Sequence, residues 1–315
     1  MASLLGAAIL LACAGSAVGM PGAGTTLEPE GVRRYWTPRR MAAAEPVEAP
    51  VATGAPAPRP AARRGPRPGG VPGFLPPTPP RGRAAGSRRG TGEVPAQRRF
   101  PQRANGKLFF TRGKRRYVCS AVVVQSPSDD VVLTAGHCVR YRGRWSRRVL
   151  FVPAYRRGAR PFGLFRGAAA AVPRPWLAQN PNYDYGAIRL RRGSRGRRVG
   201  AVTGEVGVSW NYPRDQLYRI IGYPVNYGGG ERMWGCSSRF RRRDGRRFAG
   251  PASLGVACRM RKGSSGGGWT YDRAPGNGPF VASVTSHYHP RDPGLLFGPY
   301  FDRRVPELIR YASRR

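Results

Sequence analysis

The chain has 315 residues, enough for one large or two small domains with a sizeable core. Its 44 Gly and 32 Pro residues favour turns and extended segments. The formal net charge of +39 is carried almost entirely by arginine and lies mostly in residues 104–315. We therefore expect the surface to attract polyanions. No aromatic-interleaved basic motif and no known nucleic-acid-binding module is present, so the sequence does not predict specific nucleic-acid binding.

The first 20 residues have the pattern of a secretory signal peptide. An apolar run over residues 4–11 is followed by small residues, and small-residue cleavage sites follow Ala14 and Ala17. The run is too short to span a bilayer. Residues 10–13, Leu-Leu-Ala-Cys, also resemble a lipoprotein signal, and in that alternative Cys13 carries a lipid anchor. We therefore expect a secreted protein.

Residues 21–103 are rich in Pro, Ala, Gly and Arg and have hardly any periodic apolar pattern. Such a stretch buries too little surface to offset its ordering entropy, so we expect a disordered or extended segment. Two roles stay open, a propeptide removed on activation or a linker between the envelope and the next domain. Arginine pairs at 88–89 and 98–99, and Arg103, offer basic processing sites.

Residues 104–315 carry many short apolar segments separated by turn residues, without alternating helices. This pattern predicts antiparallel β-barrels. The predicted strands of a first barrel are 107–111, 117–124, 131–134, 149–152, 162–164 and 186–190. Those of a second barrel are 217–223, 233–236, 253–260, 280–286 and 298–301. Residues 305–312 have Leu308 and Tyr311 at helical spacing and predict a terminal helix.

Three separated stretches each supply one chemically active side chain. His137 lies in Val-Val-Leu-Thr-Ala-Gly-His-Cys-Val, just after an apolar run. Asp184 lies in Asn-Tyr-Asp-Tyr-Gly-Ala-Ile-Arg-Leu, just before another, and Ser265 follows further along. A serine hydroxyl is a poor nucleophile until a base takes its proton, and the base needs a carboxylate to fix its tautomer. The three residue types therefore predict a His-Asp-Ser triad.

The sequence around Ser265 reads Arg-Lys-Gly-Ser-Ser-Gly-Gly-Gly-Trp over residues 261–269. Glycine tolerates positive φ and close approach of other groups, so this loop can aim main-chain N–H groups at one point. We expect Gly263 and Ser265 to form an oxyanion hole, because charge develops on the carbonyl oxygen during acyl transfer. Such stretches also occur in linkers, so the interpretation depends on the histidine and aspartate stretches.

Together these stretches resemble the trypsin-like (chymotrypsin-fold) serine peptidases, and look most similar to the secreted bacterial branch that includes the glutamyl-endopeptidase-like enzymes. Leu-Thr-Ala-Gly-His-Cys matches the family almost letter for letter, and the glycines around Ser265 have the family's spacing. The resemblance implies an all-β fold of two six-stranded antiparallel β-barrels, with the site between them and a short C-terminal helix on the second. It implies a peptidase domain over 104–315 that works through an acyl-enzyme, without a cofactor or metal.

Four cysteines remain once Cys13 is assigned to the leader, and four cysteines allow three pairings. The even number fits an oxidising compartment. The resemblance favours Cys119–Cys138, beside His137, and Cys236–Cys258, in the second half of the domain.

In the family the walls of the specificity pocket come from residues before the nucleophile and from the strand near Ser286. The candidate pocket residues are Arg259, Met260, Ser286 and His287. Cationic groups there favour an acidic substrate side chain, and the alternative is that Arg259 and the histidines face solvent. A preference for Arg or Lys needs a carboxylate, and no acidic residue lies between Asp244 and Ser265.

A noncatalytic protein on the same scaffold is the alternative function, with the arginine-rich exterior binding anionic surfaces. Gly268 stands where the family usually has proline, and Arg261 and Lys262 place two cations beside the expected oxyanion hole. An α/β-hydrolase esterase is excluded, because its triad has the chain order Ser, Asp, His. We expect protein or peptide substrates, nonspecific contact with anionic polymers, no specific nucleic-acid partner and a monomer.

Overall fold

The structure is a computed structural model that describes residues 22–47, 70–80, 92–95, 97–245, 248–273 and 277–315. Within these residues the chain forms short strands and a few short helices. The strands are β1 (Gly22–Thr26), β2 (Glu45–Pro46), β3 (Gly73–Leu75), β4 (Gly92–Glu93), β5 (Asn105–Arg112), β6 (Arg115–Val123), β7 (Val131–Thr134), β8 (Arg140–Tyr141), β9 (Arg144–Trp145), β10 (Arg147–Pro153), β11 (Phe165–Pro173), β12 (Gly186–Leu190), β13 (Gly207–Trp210), β14 (Leu217–Gly222), β15 (Trp234–Arg243), β16 (Leu254–Ala257), β17 (Gly268–Tyr271), β18 (Phe280–Val284), β19 (His287–His289) and β20 (Asp292–Gly298). The α-helices are α1 (Val32–Tyr35), α2 (Pro38–Ala42), α3 (Gly136–Val139), α4 (Val199–Thr203) and α5 (Arg304–Ser313).

Six strands close the first β-barrel, as the sequence predicts. Their order is β11-β10-β5-β6-β7-β12, and antiparallel pairing of β11 with β12 completes the ring. Successive side chains of a strand point to opposite faces, so β5 contributes to two different cores. Leu108 and Phe110 pack in the main core of the barrel, whereas Phe109 belongs to a second cluster that also holds Trp36 of the N-terminal segment.

The second sheet follows the order β19-β20-β16-β15-β14-β17-β18-β13-β3, with β4 attached to β15. The two-barrel, all-β class is therefore confirmed, and β3 and β4 of the N-terminal segment are among the ten strands of this second sheet. One of its pairings, β13 with β18, is parallel. Aromatic side chains fill its core, including Tyr218, Trp269 and Phe280.

The described parts of residues 21–103, which were expected to be disordered or extended, form short strands and helices. Strand β1 pairs with β11, β2 with β6, β3 with β13 and β4 with β15. The described parts of this segment thus extend both sheets. Residues 21, 48–69, 81–91 and 96 of the range, like the predicted signal peptide at 1–20, lie outside the described residues.

Trp36 explains why a segment of such low apolar content is ordered. Its side chain is 1% exposed and lies against Phe109, with ring centroids 5.5 Å apart. Its Nε1–H donates to the carbonyl oxygen of Arg148 at 2.6 Å. Val32 and Met41 are buried in the same cluster. A few large apolar side chains are therefore enough to order this segment, because the outer face of the barrel supplies the rest of the apolar surface that they bury.

The terminal helix α5 agrees with its predicted range but packs on the first barrel, against β11, β12 and β1, so its expected place on the second barrel is wrong. The predicted strand at 162–164 is also displaced, since β11 begins at Phe165. Alanine is depleted in strands, so the Gly-Ala-Ala-Ala-Ala run within β11 gives a weak strand signal. Small residues here let α5 approach closely, since a Cβ on Gly22 would lie 2.9 Å from Leu308 Cδ1.

Replacing Trp36 with Ala tests whether the N-terminal segment is part of the fold. We expect Trp36→Ala to lower the free energy of unfolding by about 3–5 kcal/mol, because a large buried side chain leaves a cavity against Phe109. Chemical denaturation monitored by circular dichroism measures the change. The exposed neighbour Arg34 is the control, and Arg34→Ala should change stability by less than about 0.5 kcal/mol. Equal stability of the two variants would contradict a folded segment.

Candidate active site

Strand pairing brings His137 and Asp184 together. Strand β7 ends at Thr134, shortly before His137 on α3, and β12 begins at Gly186, shortly after Asp184. Thr134 and Gly186 are partners in the antiparallel pairing of these two strands. The residues that follow β7 and precede β12 therefore leave the barrel at the same edge.

Two hydrogen bonds join the pair. The main-chain N–H of His137 donates to Asp184 Oδ1 at 2.8 Å, and His137 Nδ1 lies 2.8 Å from Asp184 Oδ2. Both side chains are 0% exposed. Burial alone would raise the pKa of Asp184, but the charge and hydrogen bonds of His137, with a hydrogen bond from Ser286, lower this pKa below its usual value. An ionised Asp184 can accept the Nδ1–H of His137, so the carboxylate fixes the orientation of the ring.

Arg112 supports His137 from the other side. Its Nη2 donates to the carbonyl oxygen of His137 at 2.7 Å and to Ser146 Oγ at 3.0 Å. Burial lowers the pKa of Arg112 to about 10, so the side chain remains a cation at neutral pH. Arg112 was not predicted from the sequence, because one arginine among so many carries no distinguishing signal.

Both disulfides have the pairing that the resemblance implies. Cys119–Cys138 joins β6 to α3, directly beside His137. Cys236–Cys258 joins β15 to the residue that follows β16, ahead of the serine loop. Each bridge therefore restrains one of the two loops that form the site.

The serine loop needs glycine at two positions. Gly263 has a φ of 90° and Gly266 a φ of 80°, in the region that other residues rarely adopt. A Cβ on Gly263 would lie 2.4 Å from the carbonyl oxygen of Tyr223, and one on Gly266 would lie 2.0 Å from Thr134 Oγ1. Both contacts are too short for any side chain. The second of them also packs the serine loop against the residues that lead into α3.

Ser120 fastens this loop to the first barrel. Its main-chain N–H donates to the carbonyl oxygen of Ser265 at 2.7 Å, and its hydroxyl donates to that of Gly263 at 2.9 Å. The hydroxyl also accepts from the N–H of Tyr223 at 2.9 Å. Sequence reasoning missed Ser120, since a serine inside an apolar strand has no motif of its own.

Two main-chain N–H groups of the loop stay available. The N–H groups of residues 264, 266 and 267 all donate to carbonyl oxygens, whereas within the described residues those of Gly263 and Ser265 do not. The hydroxyls also differ, because Ser264 Oγ donates to the carbonyl oxygen of Arg261 at 2.6 Å. No hydrogen bond in the described part of the chain involves the Ser265 hydroxyl. The hydrogen bonding of the two hydroxyls thus distinguishes Ser265 from Ser264.

Ser265 and His137 lie on adjoining segments without a direct hydrogen bond. The carbonyl oxygen of Ser265 is 4.0 Å from the sulfur of Cys138, the residue that follows His137. Among the described residues His137 Nε2 is buried and has no hydrogen-bond partner. Bonds between nucleophile and base are often long in unliganded sites and shorten when substrate binds.

The four predicted pocket residues differ in exposure. Met260, Ser286 and His287 are buried, and Arg259 is exposed. Ser286 Oγ donates to Asp184 Oδ2 at 2.6 Å, which places this side chain behind Asp184. His287 Nδ1 lies 2.9 Å from Ser286 Oγ on the far side.

A closed barrel that carries His137 and Asp184, facing a second sheet that carries the Ser265 loop, is the architecture of the chymotrypsin-like class. Solved structures of known proteases share this architecture. The protease Anisep from Arthrobacter nicotinovorans is 31% identical, with a TM-score of 0.60 over 68% of this chain and 96% of that one. AL20, a thermostable serine protease from an extremophilic microorganism, is 29% identical, with a TM-score of 0.60 over 67% and 97% of the two chains. A Glu endopeptidase in complex with MPD shares the fold at 18% identity, with a TM-score of 0.58 over 72% and 98%.

The chain therefore belongs to the trypsin-like bacterial serine proteases, a family of serine endopeptidases. No protein-family model and no curated protein matches the sequence. Within the described ranges, none of the helices combines the length and apolar character needed to cross a membrane.

Replacing Ser286 with Ala tests the support of Asp184. The variant loses a hydrogen bond to an ionised carboxylate, so the free energy of unfolding at pH 7 should fall by about 1.5–3 kcal/mol. A carboxyl group with a lowered folded-state pKa contributes stability above its unfolded pKa and loses it as pH falls through the folded pKa. In Ser286→Ala the pKa of Asp184 rises towards its usual value, so acid unfolding should begin at a higher pH.

The buried Ser283, whose hydroxyl donates to the carbonyl oxygen of Pro299 at 2.8 Å, provides the matched control. Ser283→Ala should lose stability by a similar amount at every pH, because no ionisable group is involved. Unfolding monitored by tryptophan fluorescence between pH 7 and pH 2 measures both variants. Identical acid midpoints in the two would contradict the role given to Ser286.

Proposed function

We propose that this protein is a secreted serine endopeptidase that cleaves peptide bonds through His137, Asp184 and Ser265. The observation that carries the proposal is the buried His137–Asp184 pair, with both bonds at 2.8 Å, beside a loop whose Gly263 and Ser265 N–H groups are unpaired within the described residues. Membership of the serine protease family supports the same reaction class.

In the proposed acylation step, His137 Nε2 takes the proton of the Ser265 hydroxyl as its oxygen attacks the substrate carbonyl carbon. Asp184 accepts the Nδ1–H and stabilises the imidazolium that forms. The N–H groups of Gly263 and Ser265 donate to the oxyanion of the tetrahedral intermediate. Loss of one such donor costs about 3 kcal/mol, or on the order of a hundredfold in rate.

Collapse of the intermediate completes the cycle. His137 returns its proton to the leaving amine, and the acyl group stays on Ser265 as an ester. A water molecule then attacks the ester carbon as His137 takes its proton. The bond from that carbon to Ser265 Oγ breaks as His137 returns the proton to the serine oxygen, and the acid product leaves. The 0% exposure of Asp184 supports this role, because a dry carboxylate orients the imidazole strongly.

The proposed location is outside the cell. Two disulfides support an oxidising compartment, where such bonds persist. Residues 21–103 were expected to be either a removed propeptide or a linker. For residues 22–47 we propose a third role, as a retained part of the mature fold, since β1 extends the first barrel and Trp36 is buried against it.

The nucleophile assignment is tested by comparing two neighbouring serines. Ser265→Ala should abolish labelling by a fluorophosphonate probe and lower kcat/KM on cleavable peptides by a factor on the order of 10^4–10^6. Ser264→Ala is the control, because it loses only the turn hydrogen bond to Arg261, worth about 1 kcal/mol. It should keep labelling and at least about a tenth of the activity.

Labelling of Ser265→Ala at an unchanged rate would overturn the assignment of the nucleophile. A fully processed wild-type protein that neither labels nor cleaves any member of a broad peptide library would favour the noncatalytic scaffold instead.

A further inference from the structure

A second cluster of ionisable side chains lies beyond Ser286. Asp244 follows β15, and His287 and His289 lie on β19 at alternate positions, so their side chains share a face of the strand. His287 Nε2 is 2.9 Å from Asp244 Oδ2, and His289 Nε2 is 3.0 Å from Asp244 Oδ1. One potential ligand atom from each residue lies within 4.8 Å of the others. His289 is 15% exposed, whereas Asp244 and His287 are almost completely buried.

The three contacts that link this cluster to Asp184 need one more hydrogen atom than their side chains supply. Three contacts follow one another, from Asp184 to Ser286 at 2.6 Å, from Ser286 to His287 at 2.9 Å and from His287 to Asp244 at 2.9 Å. A serine hydroxyl supplies one hydrogen and a neutral imidazole supplies one. Three contacts between such groups and two carboxylates need three, so one lone pair meets another unless a cation lies between them.

A neutral imidazole and an ionised carboxylate are the states in which histidine and aspartate bind a metal ion. The three side chains already place one such ligand atom each within 4.8 Å of the others.

We propose that Asp244, His287 and His289 form a binding site for a divalent transition metal ion, with Zn²⁺ as the best match. Two imidazole nitrogens and one carboxylate oxygen are donors that suit zinc, and three protein ligands leave the fourth position to water. Such an ion would replace the missing hydrogen, held by His287 Nε2 and the carboxylate of Asp244 once these two atoms move slightly apart. His289, as the partly exposed ligand, faces the side from which an ion enters.

Ser286 is the outer partner of this site. With a metal ion on Nε2, His287 carries its hydrogen on Nδ1 and donates it to Ser286 Oγ, which frees the serine hydroxyl to donate to Asp184. A hydrogen bond of this kind to the second nitrogen of a ligating histidine fixes its tautomer. Without the ion, a neutral His287 that donates from Nε2 to Asp244 accepts the Ser286 hydrogen at Nδ1, which takes that hydrogen away from Asp184.

A second group of possible metal ligands, formed by two cysteines and a histidine, does not compete for the ion. Cys119, Cys138 and His137 also lie close together, but both sulfurs are in a disulfide and offer no thiolate. His137 Nε2 is a single competing ligand, and His137→Ala removes it.

The test is a titration of the full chain carrying Ser265→Ala, which prevents self-cleavage. Isothermal titration calorimetry with Zn²⁺ should give one ion per chain, and Co²⁺ should give the visible absorption of a four-coordinate ion. At a free Zn²⁺ concentration 100 times the Kd, Tm should rise by roughly 5–10 °C. His289→Gln should weaken binding more than about 100-fold, and Ser286→Ala by about 10–100-fold, as an outer partner does. His137→Ala should bind Zn²⁺ unchanged.

Absence of stoichiometric Zn²⁺ binding to folded protein would overturn the proposal, and an NMR spectrum showing His287 doubly protonated at neutral pH would then identify a proton as the missing cation. Binding that is lost in His137→Ala and retained in His289→Gln would overturn it as well. Because the titration uses Ser265→Ala, its outcome is independent of the proposed protease reaction.

Discussion

The antiparallel pairing of β7 with β12 is the constraint on which the site depends. It places Thr134 opposite Gly186, and the next residues along each strand are those that lead to His137 and from Asp184. Both side chains are thereby buried at one edge of a closed barrel. A shift of register by one residue would turn the strand's side chains to the opposite face and separate the pair. The barrel fixes this geometry. The Cys119–Cys138 disulfide and the hydrogen bond from Arg112 to the carbonyl oxygen of His137 then restrain it further.

The second half of the site depends on contact between the two sheets. Ser120 belongs to the first barrel, yet its N–H and hydroxyl both bind carbonyl oxygens of the serine loop. The carbonyls of Gly263 and Ser265 are thereby engaged, whereas within the described residues the N–H groups of these two residues donate to no carbonyl oxygen. Gly266 completes the contact, since the space for its side chain is filled by Thr134 and Ser120. The loop geometry proposed to form an oxyanion hole thus depends on how one barrel holds a loop of the other.

The sequence predicted the parts of this arrangement that are encoded locally. The first barrel, the pairing of the cysteines and the range of α5 all follow from short patterns or from the family resemblance. Contacts between distant segments were not readable. The order of the N-terminal segment depends on Trp36 meeting Phe109, and α5 packs on the first barrel because β1 and β11 are built from small residues. Ser286 was expected to line a pocket, and only the folded chain reveals its bond to Asp184.

The proposed reaction requires that Ser265, His137 and the two loop N–H groups converge on one reacting atom. A crystal structure of the protein inactivated by a peptidyl phosphonate shows whether they do. We expect phosphorus bonded to Ser265 Oγ, with a phosphonyl oxygen about 3 Å from the nitrogens of Gly263 and Ser265 and His137 Nε2 within hydrogen-bond reach of the serine oxygen. Phosphorus on another residue, or a phosphonyl oxygen turned towards solvent, would contradict it.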